Sequence, residues 1–325
     1  MVAIRGAVRD ELSECTAGEK IVVACSGGAD SLALSYAVAH EAQKLALPVI
    51  GVTVDHQLQE GSRDQAEKVL SQLHEMGIKQ AEIRTVEVDV VDGVEASARR
   101  ARYGALEAAR RDHGGTLILL GHTRDDQAES VLLGLARGSG TRSLSGMAKR
   151  NGVYLRPMLA ITRAQSVRAC QEIGLIPWQD PHNNDPKYLR SRLRTVGLPA
   201  LEKSIGPGVS AALARSAQLL RDDADALDGW AKAEFDQIDG RTMEVDWLLR
   251  LPRAVRTRLL RLGIYAAGAP GGSISADHVS AVEALITSWH GQGQVSLPGG
   301  VKAARKSGRL SLLPYVDESS EAPWI

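Results

Sequence analysis

Ser26-Gly27-Gly28-Ala29-Asp30-Ser31 lies between an apolar run, residues 21–25, and an apolar-periodic stretch, residues 32–45. A strand, a tight glycine turn and a helix in that order present backbone N–H groups in a concave nest, backed by the positive end of the helix. Two adjacent glycines let the backbone approach a bulky anion, and the Ser26 and Ser31 hydroxyls add donors. Asp30 is the informative member. A loop that holds phosphate usually carries a cation, as the lysine of G-x-x-x-x-G-K-[ST] does. A carboxylate beside phosphates is repelled unless a metal bridges it or it takes a proton. The loop therefore points to a nucleotide site that uses Mg²⁺ or a base. Strand–Gly–Gly–helix turns can be mere tight connections, but S-G-G-x-D-S after a β-branched strand is a far rarer string.

Two further clusters follow apolar runs. Asp55-His56 follows residues 49–54, and Gly121-His122 follows residues 116–120. Taken alone, Asp55 is as readily a turn or helix cap and His56 a surface histidine. Thr123 is placed to cap a helix whose positive end favours Asp125 and Asp126. Capping does not explain His122 together with two adjacent acids, and Glu129 lies one helical turn further on. With Asp30, these residues form an acidic, histidine-bearing mouth suited to Mg²⁺ held through oxygen ligands and water.

The elements that must position these clusters alternate. Strand-like runs at 21–25, 49–54, 83–90 and 116–120 are separated by helical patterns such as 63–76 and 94–111. This is the pattern of an α/β, doubly wound, mainly parallel sheet, a Rossmann-like domain. Ligands bind beyond the carboxyl ends of such strands, which is where all three clusters fall. Residues 156–201 read as less regular, with Pro157, Pro177, Pro181, Pro186 and Pro199. A helical run from about 209 to 238 follows, and the boundary is expected near 205–222. The division is a catalytic domain over 1–208, a helical connector over 209–240 and a smaller α+β domain over 241–325. In the last, helices are expected at 246–267 and 276–288. A hairpin is expected to pair 294–297 with 309–313 across a basic loop holding Lys302, Arg305 and Lys306. Residues 317–325 read as a frayed tail.

The chain has 325 residues, 44% apolar and 24% charged, with a formal net charge of zero, so no global field attracts nucleic acid. Positive charge is instead clustered. Arg99, Arg100, Arg102, Arg110 and Arg111 share one helical segment. Arg137 and Arg142 flank Gly138-Ser139-Gly140-Thr141 in a loop suited to covering a site. Lys187, Arg190, Arg192 and Arg194 lie near Tyr188. Arg250, Arg253, Arg256, Arg258 and Arg261 form another tract, and Lys302, Arg305, Lys306 and Arg309 the last. A single such run is usually a solvated face, but several on a neutral chain suggest a track for a polyanion. The three cysteines, Cys15, Cys25 and Cys170, form no disulfide framework or zinc spacing. They fit a reducing cytoplasm. No signal peptide or membrane-spanning run is expected.

Together these residues resemble the PP-loop ATP pyrophosphatases and, within them, the tRNA(Ile)-lysidine synthetases. The narrower likeness rests on Val54-Asp55-His56-Gln57-Leu58, Glu95-Ala96 with Arg99-Arg100-Ala101-Arg102-Tyr103, and Gly121-His122 through Asp126-Gln127-Ala128-Glu129. It continues in Arg137-Gly138-Ser139-Gly140, Leu144-Ser145-Gly146-Met147 and Arg156-Pro157-Met158-Leu159. Asp180-Pro181-His182-Asn183-Asn184 and Tyr188-Leu189-Arg190-Ser191-Arg192-Leu193-Arg194 complete it. The likeness covers residues 20–201. Gln59, His182 and Ser191 depart from the family's more usual Arg, Ser and Asn.

The resemblance implies that ATP adenylates C2–O of the wobble cytidine in a tRNA(Ile) with anticodon CAU, and that free lysine then displaces AMP to give lysidine. It implies ATP contacts from Ser26, Gly27, Gly28, Ala29, Asp30, Ser31, Asp55, His56 and Gly121, with Mg²⁺ at Asp30. Asp30, His122, Asp126, Arg192 and Arg194 become catalytic candidates, and Asp125, Asp126 and Glu129 candidates for lysine or metal. The tRNA candidates are Arg99, Arg102, Arg137, Arg142, Arg190, Arg256, Arg258, Lys302 and Arg305. A cytoplasmic enzyme is expected, and a homodimer is left open. The nearest alternative is another PP-loop tRNA-modifying enzyme such as a thiolase, which needs a persulfide or cluster-bound cysteine. Amidotransferase-coupled synthetases would need a further domain. A non-catalytic RNA-binding protein would have no use for Asp30, Asp125 and Asp126.

Overall fold

The computed structural model describes residues 1–57, 59, 61–89, 93–138, 140–179, 187–238 and 240–314. The tail at 317–325, the motif at 180–184 and Val90 lie outside the described residues. The chain divides into two compact units, Met1–Arg221 and Asp222–Ile325.

The first unit contains α1 (Val2–Leu12), β1 (Ile21–Ala24), α2 (Ala29–Lys44), β2 (Val49–Asp55), α3 (Ser62–Glu75), β3 (Gln80–Thr85), α4 (Val94–Asp112), β4 (Leu117–Leu119) and α5 (Arg124–Ala136). It continues with α6 (Thr141–Leu144), β5 (Arg150–Asn151), β6 (Tyr154–Leu155), α7 (Arg163–Glu172), α8 (Leu189–Arg192) and α9 (Leu198–Ile205). The division between the units falls within α10 (Val209–Phe235). The sheet order is β3-β2-β1-β4-β6-β5, all parallel except the β5–β6 pair.

Alternation explains why this sheet is covered on both faces. Successive strand residues point to opposite sides. Ile21 and Val23 join a core with α1, α2, α3 and α7, whereas Val22 joins Ile50, Ile118 and the α4 residues Leu106 and Ala109. The expected doubly wound α/β class is the one observed. Val23 is level with Gly51 of β2 and Leu119 of β4. The chain therefore leaves β1, β2 and β4 along one edge, and the strand order reverses direction between β1 and β4. That edge is the switch point where α/β sheets bind ligands.

The first unit departs from the sequence reading at residues 2–12 and 156–201. Residues 2–12, assigned no element, form α1 because Ile4, Val8 and Leu12 fall on one face and are buried. The supposedly irregular stretch 156–201 contains α7, α8 and α9. Thr162 caps α7 by accepting from Gln165 N, so this helix has an explicit start signal that the surrounding prolines obscured.

In the second unit, β7 (Thr242–Glu244), α11 (Val245–Arg250), α12 (Arg253–Ala266), α13 (Ala276–Thr287), β8 (Val295–Ser296), β9 (Lys302–Lys306) and β10 (Arg309–Leu313) build a four-stranded antiparallel sheet of order β7-β10-β9-β8. Leu259, Ile264, Val282, Leu310 and Leu312 form its core. The expected hairpin is corrected here. The strand at 309–313 pairs with β9 and β7, not with 295–296. The basic "loop" is itself β9, in which Ala303 is buried and residues 302, 304 and 305 half-buried despite the charges. The expected single helix at 246–267 is two, separated at Pro252, which lacks the N–H a continuous helix requires.

Candidate active site

The glycine loop is stitched by its own serine. Ser31 Oγ accepts from Ser26 N at 3.1 Å, donates to the Gly28 carbonyl at 2.9 Å and lies 3.3 Å from Ser26 Oγ. The Trp178 amide donates to the Gly27 carbonyl at 2.8 Å. Gly27 has φ +82°, and a Cβ there would sit 2.6 Å from Val69 Cγ2, so both conformation and space require glycine. Gly121 serves a close approach. A Cβ would lie 3.1 Å from the Asp30 backbone carbonyl. The end of β4 thus rests on the first turn of α2, which brings the His122–Glu129 segment to Asp30.

Below the loop, four acids converge on two arginines. Arg163 Nε lies 3.3 Å from Asp30 Oδ2, and its Nη2 lies 3.1 Å from Asp126 Oδ1. Its backbone N–H donates to Asp125 Oδ2 at 2.9 Å. Arg194 grips the wholly buried Glu129 with a two-pronged fork, 2.8 and 3.1 Å, and reaches Asp126 at 3.4 Å. Asp126 Oδ2 also accepts from the backbone N–H and the hydroxyl of Thr123, so the expected helix start is real. A cavity of about 320 Å³ opens beside this cluster, lined by Asp125, Glu129, Arg163, Arg194 and Glu202 among others.

The carboxyls respond differently. Burial raises Asp30 and Glu129 above their ordinary values despite the arginines. Burial acts on Asp126 in the same direction, but Arg163, the Thr123 N–H, His122 and Arg194 together bring it below its ordinary value. Among the described residues no group of three or more His, Cys, Asp or Glu is arranged to hold a metal ion. The acidic mouth expected from sequence is bridged by guanidinium groups. One oxygen is left over, the buried Asp30 Oδ1, which has no hydrogen-bond partner.

On the other side of the loop the groups are basic. Asp55 is buried, and its Oδ1 accepts from Gln57 N at 3.0 Å, which is the turn-capping role. His56 Nδ1, His122 Nδ1, Arg102 Nε and Arg156 Nε are buried without partners. Burial lowers His56, with Arg102 adding to the effect. Burial likewise pushes His122 down to about 3, opposed by Asp126 and reinforced by Arg102, Arg156 and Arg99. Both imidazoles are neutral near pH 7.

Other candidates scatter. Arg194 enters the acidic cluster, whereas Arg192 is exposed and donates to the Lys187 carbonyl at 3.3 Å. Arg99, Arg137 and Arg190 line one cleft. Arg142 is exposed on α6. In the second unit the structure places Arg256, expected as an RNA contact, among core residues. It is 8% exposed, and its guanidinium donates to Glu283 at 2.9 Å and to the Leu251 carbonyl at 3.2 Å. Arg258 pairs with Asp228 at 2.6 Å. Arg305 donates to the Leu285 and Ile286 carbonyls and covers the Trp289 ring, while Lys302 is half-buried. Sequence reasoning missed Arg163. Its signal was a cation in the first turn of a helix, where the dipole disfavours it unless acids face it.

A glycine nest at the switch point of a doubly wound sheet, with a carboxylate at the helix start, defines an ATP-using PP-loop protein. The family model described as a PP-loop domain matches residues 6–201. That described as a TilS substrate binding domain matches residues 244–311. A tRNA(Ile)-lysidine synthase of Streptomyces coelicolor is 55% identical over 295 residues, covering 89% of this chain and 84% of that protein. One from Thermobifida fusca is 51% identical over 310 residues, covering 94% and 95%. The chain belongs to the tRNA(Ile)-lysidine synthase family. A solved structure, the U34-tRNA thiolase NcsA of Methanococcus maripaludis with its [4Fe-4S] cluster, matches with TM-score 0.56 at 18% identity. It covers 67% of this chain and 79% of that one, and this likeness is one of fold. No helix of the described residues is long and apolar enough to cross a membrane.

Proposed function

We propose that the protein ligates free lysine to C2 of the wobble cytidine of tRNA(Ile) with anticodon CAU, consuming ATP and releasing AMP and pyrophosphate. Residues 1–208 would carry the chemistry, 209–240 would connect, and 241–325 would contact tRNA. The observation that carries this reading is the juxtaposition of the Ser26–Ser31 nest with the cavity between acids and arginines. A cavity lined by three carboxylates and two guanidinium groups complements an amino acid, which brings ammonium and carboxylate together. Asp125 and Glu129 face the amines; Arg163 and Arg194 face the carboxylate.

Backbone amides of residues 27–31 hold the β,γ-phosphates, and neutral His56 and His122 offer hydrogen bonds to the nucleotide. The unpartnered Asp30 Oδ1 fits Mg²⁺, which is commonly held by one or two carboxylates together with substrate phosphates. Bound there, Mg²⁺ would neutralise phosphate charge. The raised Glu129 carboxyl is poised to accept a proton from lysine's ammonium, which must lose one before it attacks.

Thiolation draws less support. Cys25 is buried with its thiol pushed up, and burial pushes Cys170 up to about 11, the reverse of a reactive thiolate. Cytoplasmic location follows from the substrates, and light scattering would test for a homodimer. Mass analysis of tRNA nucleosides after incubation with ATP and labelled lysine tests the function. Labelled lysidine is the expected product, and unmodified cytidine refutes the reading.

A further inference from the structure

Arg102 of α4 is a half-buried cation, its Nε wholly shielded, that no carboxylate among the described residues pairs with. Its Nε has no partner, and no hydrogen bond or ion pair reaches its guanidinium from any described residue. Its ring neighbour, Tyr103, is 5.7 Å away. Arg99 and Arg190 add like charge around it, and with burial they disfavour its charged form. The neighbouring groups lack partners as well, since His56 Nδ1, His122 Nδ1 and Arg156 Nε are all buried and unpaired. An unpaired charge costs a fold more the more of it is shielded from water. The other arginines of the site show the contrast. Arg163 and Arg194 each have two carboxylates in reach.

Arg99 and Arg190 also line a cleft of about 620 Å³, together with Arg137 and Tyr188. No residue of the Ser26–Ser31 loop lines it. The cleft is tied to Arg102 through Arg99 and Arg190, the like charges that act on it. It offers positive charge and an aromatic ring, which suits single-stranded RNA. We propose that Arg102 is the receiving group of a phosphate site beside the arginines of this cleft, filled by the phosphodiester of the nucleotide that reacts. Arg102 is a positioning residue: its planar fork matches two phosphate oxygens and fixes the base against the reaction centre. The proposal rests on the lysidine reading. The α-phosphate of ATP has the same chemistry, and the test separates the two sources.

Arg102→Gln and Arg102→Lys are made in the full chain. Melting temperature, ATP affinity and tRNA(Ile) affinity across a salt series are measured, with lysidine formation by wild type in parallel. Arg102→Gln is expected to melt at or above wild type, since it removes an unpaired charge, and to bind ATP unchanged. Its tRNA affinity should fall on the order of tenfold and the slope of log K against log salt by about 1, one phosphate contact. Arg102→Lys should recover the slope. Unchanged tRNA affinity and slope overturn the proposal. A loss confined to ATP overturns the RNA assignment, and a lower melting temperature with both affinities lost shows a merely structural residue. Failure of wild type to form lysidine would instead sink the parent reading, while the salt slope still reports on Arg102.

Discussion

Arg194→Met isolates Glu129, and the structure sets the size of the effect. Glu129 is wholly buried, and its two oxygens are held by the Arg194 fork. Breaking a buried pair from one side ordinarily costs about 3–5 kcal/mol. Here protonation caps the loss. Neutralising a carboxyl whose unfolded pKa is about 4.3 costs about 3.7 kcal/mol at pH 7 and about 1.6 kcal/mol at pH 5.5. Burial already raises Glu129 in the intact protein, and losing Arg194 raises it further. A raised folded pKa gives stability that is present below the unfolded value and lost as pH rises, so the variant's deficit must grow from pH 5.5 to 7. Native-state hydrogen exchange at the α5 amides reads this loss. Adding Glu129→Gln should restore most of it at pH 7. A deficit under about 1 kcal/mol at pH 7, or one equal at both pH values, would refute the reasoning.

Gly121→Ala pushes a methyl against the Asp30 carbonyl, 3.1 Å from the ideal Cβ. It should raise KM for ATP at least several-fold while tRNA binding stays unchanged; an unchanged KM would show that the contact relaxes freely. Arg256→Ala leaves the buried Glu283 without its closest cation, and should destabilise the second unit by about 3 kcal/mol or more. A denaturant midpoint matching wild type contradicts that assignment. Glu41, held by Arg9, Arg5 and Lys44, has its carboxyl lowered to about 2, chiefly through the Arg9 hydrogen bond. This depressed value gives stability present above the unfolded pKa and lost as pH falls towards 2. Exchange protection of α1 should therefore decline across that window, and Glu41→Gln should remove the dependence.

The sequence by itself determined the backbone. The continuous apolar runs at residues 21–25 and 116–120 and the glycine pair at 27–28 are local patterns, and they specified the sheet, its two covered faces and the loop at its switch point. The same patterns placed Asp30, His122 and Asp126 at one edge. Local signals failed where a tertiary partner decides burial. Residues 302–306 read as a charged loop but become β9, because β8 and β10 complete its hydrogen bonds. Arg256 read as an RNA contact but meets Glu283, 27 residues away. Arg163 drew no notice because its partner Asp30 lies 133 residues earlier. Only the tertiary structure sorted the arginines into those with carboxylates, such as Arg163 and Arg194, and Arg102, which has none. Element type follows from neighbours within a few residues, whereas charge pairing depends on which distant segments the fold brings within about 4 Å.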